Sequence, residues 1–379
     1  MILVAVFFLI CMVFYALYLG VNFYYFTYGF SSEQDISSPS DFLKVTVVIP
    51  ARNEELNIGA LLQDIANQNY PLDFIQVIVV DDHSTDQTRK IAEAFIGFRK
   101  NWKVLSLIKP KGTAYKKAAI TQAIQNSDGD IILTTDADCR VGKHWIRTMV
   151  SEFKNSTVGL VSGPVTMWDN GTWFQQFQSL EFAGLIAIGA GSMQRGAPNM
   201  CNGANLAYRK DAFYEVNGFE GVDHIASGDD ELLMHKIYST SKYLVKFQKS
   251  REAIVNTAPC YTFRQFLNQR IRWVSKSTHY KNKAITLIMS CIYLAIAGIP
   301  ITCVLSITGI IPWWIFISIL GIKISSEFII LYSATHFFEK KYLLKWFLPE
   351  QLLHIPYILW AGLAGNIGQY KWKDRIIQH

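Results

Sequence analysis

Charge is scarce in this chain: Asp, Glu, Lys and Arg make up 17% of its 379 residues, whereas half are hydrophobic and 14% are aromatic. So apolar a composition excludes an ordinary single soluble domain and places part of the chain in lipid. The scarcity is concentrated in two tracts, residues 2–32 and 284–322, which contain no Asp, Glu, Lys or Arg at all. The amino terminus also lacks the basic start and small-residue cleavage site of a signal peptide, so the first tract is expected to remain as an anchor. The six cysteines, at 11, 139, 201, 260, 291 and 303, show no metal-ligand spacing such as CxxC, which leaves free thiols as the expectation. Repeats and low-complexity tracts are absent; residues 31–41, rich in Ser and acids, read as a short linker. The net charge of +6 requires no nucleic-acid partner, because much of it flanks the apolar tracts, where anionic lipids attract it.

A bilayer crossing needs roughly 20 apolar residues. Residues 1–30 supply one span. The second tract is interrupted by Pro300, Gly309 and Pro312, which suits two spans over 284–306 and 312–334 joined by a tight hairpin. Residues 346–367 are apolar but contain Pro349, Glu350, Gln351, His354 and Pro356; a re-entrant or interfacial course is favoured over a full crossing. Within the third span Lys323 and Glu327 are four residues apart, share a helix face, and are expected to neutralise each other. Residues 269–283 hold Arg270, Arg272, Lys276, Lys281 and Lys283 without an acid, which assigns that side to the cytosol of a plasma or inner membrane. The expected organisation is a transmembrane helix over 1–30, a cytosolic domain over 42–283, a membrane region over 284–367 and a tail over 368–379. The sequons at Asn155 and Asn170 would then be unused.

The polar middle alternates short apolar runs with helical patterns, which indicates an α/β fold. Strands are expected over 45–50, 75–80, 104–108 and 131–135, with helices over 56–67, 86–98 and 115–125; Ser84 and Gln87 have capping-box spacing for the second helix. Acids follow two of these strands: Asp81 and Asp82 after the second, Asp136 and Asp138 after the fourth. Strand carboxyl ends form the ligand crevice of an open parallel sheet, so the four carboxylates converge in this reading. An Asp-x-Asp pair there can place oxygens on Mg²⁺ or Mn²⁺, and such a cation can neutralise a diphosphate. Asp after a strand is also an ordinary turn former.

Taken in order, Val47-Val48-Ile49-Pro50-Ala51-Arg52-Asn53-Glu54, Val80-Asp81-Asp82-His83-Ser84-Thr85-Asp86 and Thr135-Asp136-Ala137-Asp138 resemble a family 2 glycosyltransferase of the membrane-bound type. The resemblance implies a GT-A fold, a Rossmann-like nucleotide-diphospho-sugar transferase domain, joined to transmembrane helices. It places Ala51, Glu54, Asp81 and Asp82 at the nucleotide, Asp136 and Asp138 at the metal and donor diphosphate, and Lys116 on a donor-side helix. Two adjacent lysines on a helix are otherwise usually solvated. Ser227-Gly228-Asp229-Asp230-Glu231 resembles the family's Glu-Asp element, with Asp230 as base; a shift by one position makes it Asp229. Gln269-Arg270-Ile271-Arg272-Trp273 resembles the Gln-x-x-Arg-Trp element of polysaccharide synthases and ceramide glucosyltransferases. There Arg272 suits pyrophosphate oxygens and Trp273 an acceptor, although an interfacial Trp between arginines would also anchor the next span. Gly203, Asn205 and Arg209 resemble an acceptor-side strand.

The implied activity is inverting hexosyl transfer from a UDP- or GDP-sugar to a lipid or lipid-linked saccharide, with a divalent metal. So little membrane helix favours single addition over processive polysaccharide synthesis. A nucleotide-binding membrane module without catalysis is disfavoured, because the spans contain few polar groups and the acids form a catalytic set.

Overall fold

The computed structural model describes residues 2–30, 42–97, 99–110, 112–169, 171–240, 242–280, 282–367, 370–372 and 375–377. The expected linker over 31–41 and the sequon residue Asn170 lie outside the described residues.

Helix α1, Ile2–Tyr28, starts the chain. An α/β region follows: β1 Val45–Ala51, α2 Ile58–Ala66, β2 Ile75–Asp81, α3 Thr88–Ile96, β3 Trp102–Ser106, α4 Tyr115–Gln125, β4 Ile131–Thr134, β5 Arg140–Val141, α5 Trp145–Ser151, β6 Val158–Ser162 and β7 Val165–Met167. Then come the long α6, Trp173–Gln194, β8 Leu206–Arg209, α7 Lys210–Glu215, α8 Glu231–Thr240, β9 Leu244–Phe247, β10 Val255–Thr257 and α9 Phe263–Ser275. Helices α10 Lys283–Ile307, α11 Trp313–Phe337 and α12 Phe347–Ile367 and a short hairpin, β11 Tyr370–Trp372 with β12 Arg375–Ile377, complete the described elements.

Seven strands form the main sheet in the order β3-β2-β1-β4-β8-β6-β9, with β5-β10-β7 as a small second sheet. β1 lies between β2 and β4 and is parallel to both, so the strand order reverses direction there. Both faces of these strands are covered, which is why β2 reads Ile-Gln-Val-Ile-Val-Val-Asp and is buried throughout. Alternate residues serve two cores. Val47, Ile49, Val77 and Val79 pack with α2, α3 and α5, while Val48, Ile78 and Val80 pack with α4, α8 and part of α6. The second core also takes in Phe26 of α1 and Ile330 and Ala334 of α11, so the sheet and the apolar helices share side chains.

Among the described residues three helices, α1, α10 and α11, are long and apolar enough to cross a membrane, and they bury one another through Met12, Leu19, Ile296, Ile299 and Ile319. Lys323 Nζ meets Glu327 Oε2 at 2.7 Å inside this bundle, as the helical spacing predicted. Helix α12 runs unbroken through Pro356. It turns Glu350, Gln351 and Tyr357 inward and leaves Leu348, Leu352, Trp360 and Leu363 exposed, the reverse of a helix surrounded by water. All six cysteines are free.

Two local expectations are corrected. β3 begins and ends two residues earlier than its apolar run suggested, because pairing with β2 sets its register from Trp102 opposite Val77, and Trp102 stacks on Phe95. Ile108, the expected strand end, is 76% exposed. Ser84 does not cap α3: its hydroxyl accepts the Asn53 amide at 3.1 Å, and the Asp86 carboxylate accepts the Thr88 amide at 2.9 Å. The genuine capping box is at α9, between Thr262 and Gln265.

Helix α6 joins the sheet to the bundle by close approach. A Cβ on Gly191 would lie 2.3 Å from the Asn22 carbonyl oxygen of α1. Gly191→Ala is therefore expected to lower the thermal midpoint in detergent, by an overpacking cost of about 1–3 kcal/mol, and an unchanged midpoint would show that α1 and α6 separate freely.

Candidate functional site

The parallel register sets the crevice. Ala51 pairs with Asp81 and Val48 with Thr134, so the segments leaving β1, β2 and β4 emerge side by side at the sheet's carboxyl edge, where its strand order reverses. Two of these segments are stitched together. The Asp82 amide donates to the Ala51 carbonyl at 2.8 Å, Arg52 donates to the Asp82 carbonyl at 2.6 Å, and the Glu54 amide donates to the Thr88 hydroxyl at 2.7 Å. Asn53 and His83 take positive φ, 52° and 54°, which tightens both turns.

A cavity of about 1260 Å³ opens on this edge. Of the expected site residues, Ala51, Glu54, Asp82, Lys116, Asp136, Asp138, Asp229, Asp230, Gln269, Arg272 and Trp273 line it. Asp81 is not among the lining residues. It is buried at the end of β2 and faces the Ser84 amide, because successive residues of a strand point to opposite sides.

The acids are held by lysines. Lys116, in the first turn of α4, places Nζ 2.7 Å from Asp136 Oδ1 and 3.1 Å from Asp229 Oδ2, bridging the β4 turn to the loop before α8. Burial would lower its pKa, but the neighbouring carboxylates of Asp136 and Asp229 raise it well above the usual lysine range. Asp230 Oδ2 accepts the Gly203 amide at 3.0 Å, and its Oδ1 accepts the Glu231 amide at 2.7 Å with Lys276 Nζ at 3.8 Å. Burial opposes the charge on Asp230, yet Lys276, Lys116 and these amides hold its pKa below the ordinary carboxylate value. Glu231 is raised by burial; it sits between Lys276, at 3.0 Å, and the Tyr280 hydroxyl. Gly203 is the floor of the cluster, where a Cβ would meet Asp229 Oδ2 at 3.0 Å and Lys116 Nζ at 3.2 Å.

Lys117 is the residue the sequence misrepresents most. Two consecutive lysines suggest solvent, but Lys117 is 2% exposed and donates to the carbonyls of Val222, Ile225 and Ser227 at 2.7–2.8 Å. It ties down the loop that delivers Asp229 and Asp230, and burial lowers its pKa to about 8. Other expected residues prove to be supports. Asn205 donates to the Pro164 and Ala253 carbonyls and accepts from the Trp145 indole, and Arg209 donates to the carbonyls of Phe153, Asn155 and Val158. Arg270 lies between the rings of Phe266 and Trp273, 4.3 Å from each centroid, and pairs with buried Glu181, while Arg272 lines the cavity.

Among the described residues no three His, Cys, Asp or Glu side chains converge as a closed metal centre. Asp136 and Asp138 nevertheless suit a hard cation that keeps open positions: one or two carboxylates with substrate phosphates are how Mg²⁺ is usually held. Asp136 is 37% exposed at its side chain, facing the cavity.

Comparison with known proteins adds to this geometry. Residues 46–216 match the profile of Glycosyl transferase family 2. The match runs from β1 to the end of α7, a little under half of the chain. An N-acetylglucosaminyltransferase of Rhizobium meliloti is 26% identical over 71% of this chain and 67% of its own length. A beta-monoglucosyldiacylglycerol synthase of Synechocystis is 29% identical over 36% of this chain and 29% of its own. This chain thus spans about two thirds of the first relative and under a third of the second. The solved mannosyltransferase from Pyrobaculum calidifontis, in complex with GDP-Man and Mn²⁺, superposes with a TM-score of 0.60 at 17% identity, over 95% of this chain and 98% of that one. The likeness establishes a shared GT-A fold.

In the sequence Lys276 counted only toward the basic segment, Glu231 only closed the Ser227-to-Glu231 element, and Tyr280 was not singled out. Their signal was faint: Lys276 follows Arg272 by four residues and so continues the same face of α9. Replacing Lys117 with Met leaves three carbonyls facing an apolar side chain, a loss of about 2–5 kcal/mol for a buried charged donor. Lower thermal stability and slower turnover are expected together in Lys117→Met, with partial recovery in Lys117→Arg; thermal scans and steady-state rates check this.

Proposed function

We propose that this protein is an inverting glycosyltransferase that moves a sugar from a UDP- or GDP-sugar to a lipid or lipid-linked saccharide in a single displacement at the membrane. One observation carries the reading: the carboxylate crevice of the family 2 domain and the apolar helices line the same cavity, from Asp82 and Asp136 through Trp273 to Tyr293 and Ile358. A polar donor and a lipid acceptor can meet in such a space. The names of relatives that synthesise beta-monoglucosyldiacylglycerol support the lipid acceptor.

In this reading Ala51, Glu54 and Asp82 receive the base and ribose of the donor. Asp136 and Asp138 would hold a divalent cation, which supplies charge neutralisation to the departing nucleoside diphosphate. Arg272 and Lys116 add fixed positive charge beside it. Asp230 accepts the proton of the acceptor hydroxyl as that oxygen bonds to the anomeric carbon and the bond from that carbon to the diphosphate breaks. Asp229 is the alternative base, but its carboxylate is engaged by Lys116. The small number of candidate spans, three among the described residues, supports single addition over extrusion of a polymer. Arg272 in α9 and Lys283, the first residue of α10, support a cytosolic location for the site; Arg270 and Lys276, which contribute to the same basic segment, are internally paired.

The deciding assay is release of nucleoside diphosphate from a panel of sugar nucleotides by purified protein in detergent with membrane lipid and Mg²⁺ or Mn²⁺. Release is expected to need the metal and to fall by about two to four orders of magnitude in Asp230→Asn, with donor binding retained. No release from any donor by folded protein would refute the reading.

The pH profile makes a separate demand. A base must be ionised, and because Lys276, Lys116 and the two backbone amides outweigh burial and hold Asp230 below the ordinary carboxylate value, the acid limb of kcat/KM should lie below the ordinary carboxylate range. Removing the positive charge in Lys276→Met should raise the acid limb of kcat/KM; an acid limb that does not move would exclude Asp230 as the titrating base.

A further inference from the structure

Away from the carboxylate cluster, the cavity runs to where α12 faces α6 and α11, and its wall there includes Glu181, Glu327, Glu350, His354 and Tyr357. Buried ionisable groups among apolar helices are costly unless something satisfies them. Two pairs are satisfied. Glu181 pairs with Arg270 and accepts the Tyr357 hydroxyl, and Glu327 pairs with Lys323 and accepts the Tyr15 hydroxyl at 2.7 Å. Two groups are not: Glu350 Oε2 and His354 Nδ1 are buried with no hydrogen-bond partner among the described residues. Glu350, 4% exposed, and His354 stand four residues apart on one face of α12, and both line the cavity.

The charge balance says what could satisfy them. Arg270 and Lys323 are each matched by a carboxylate, and Gln351 further engages Lys323. Glu350 is the carboxyl left over. A phosphate entering here would find no uncompensated cation and would face Glu181, Glu327 and Glu350. A hydroxyl fits, because it can donate to the imidazole nitrogen and exchange a hydrogen bond with the carboxyl in either protonation state. Ile292, Ile358 and Leu363 continue the wall toward the outside of α12 with apolar surface suited to acyl chains. We infer that this end of the cavity binds an uncharged, hydroxyl-bearing lipid headgroup, a glycerol or a sugar on acyl chains, through Glu350 and His354. The inference rests on the proposed function and specifies the acceptor's chemical class.

The test uses the full chain in phosphatidylcholine nanodiscs. Binding is read by native mass spectrometry and thermal shift with dioleoylglycerol, a monoglucosyl diacylglycerol, a polyprenyl phosphate and free glucose. The two neutral lipids are expected to bind and stabilise, and the double substitution Glu350→Ala with His354→Ala to weaken them about tenfold or more. Glu350→Gln, which keeps an acceptor and adds a donor, should retain most of the binding and shows that loss in the double variant is not misfolding. Preferential binding of the polyprenyl phosphate, or neutral-lipid binding indifferent to both substitutions, would overturn the inference. Variant-sensitive binding of free glucose without the lipids would overturn the lipid as the source of the hydroxyls. Sugar-nucleotide binding on the same samples separates the two proposals: its absence in folded protein counts against the transferase reading, while its presence without neutral-lipid binding counts against the subsite alone.

Discussion

The site depends on one compensation of charge. Asp229, Asp230 and Glu231 follow one another at the start of α8, and Asp136 faces them across the crevice; carboxylates this close repel one another in a medium of reduced dielectric. Lys116 and Lys276 make the arrangement tenable, one from the start of α4 and the other from just beyond α9, and Lys117 fixes the loop between them by its three carbonyls. The ammonium of Lys116 spans the β4 turn and the α8 loop, which are remote in sequence. The geometry of the acids is therefore a property of three lysines as much as of the acids themselves.

The same compensation connects the crevice to the bundle. Lys276 stands just beyond the helix whose Arg270 reaches Glu181 of α6 between two aromatic rings, and α6 in turn approaches α1 so closely that a Cβ on Gly191 would lie 2.3 Å from the Asn22 carbonyl oxygen. Paired polar groups recur from the sheet edge into the apolar helices, Lys276 with Glu231, Arg270 with Glu181 and Lys323 with Glu327, and Glu350 and His354 stand beyond them. In hydrocarbon-like surroundings every such group must find a partner, so the chain of pairs constrains how the helices sit around the cavity.

Much of the fold was legible. Runs such as Val47-Val48-Ile49 and Val77-Ile78-Val79-Val80, too apolar for a half-exposed strand and too short for a helix, announced a parallel sheet, and the acids after them announced its carboxyl edge. The apolar tracts announced α1, α10 and α11 to within three residues at either end, because length and a near absence of charge are sufficient signals for a helix able to cross a bilayer. The lean of β3 was not legible, since an edge strand's register is set by its neighbour.

Local order and hydropathy, then, determined by themselves the elements, the apolar spans and the acids at the strand ends. Only the tertiary structure decided which of those acids share a cavity, that Asp81 turns away while Asp82 enters, that Lys117 is a buried clamp rather than a solvated neighbour of Lys116, and that Arg270 and Arg272 have different tasks. The reason is physical. Periodicity and hydropathy are set by neighbours in the chain, whereas the partner of a buried charge is chosen across the fold, by whichever opposite charge or carbonyl the packing brings within about 3 Å.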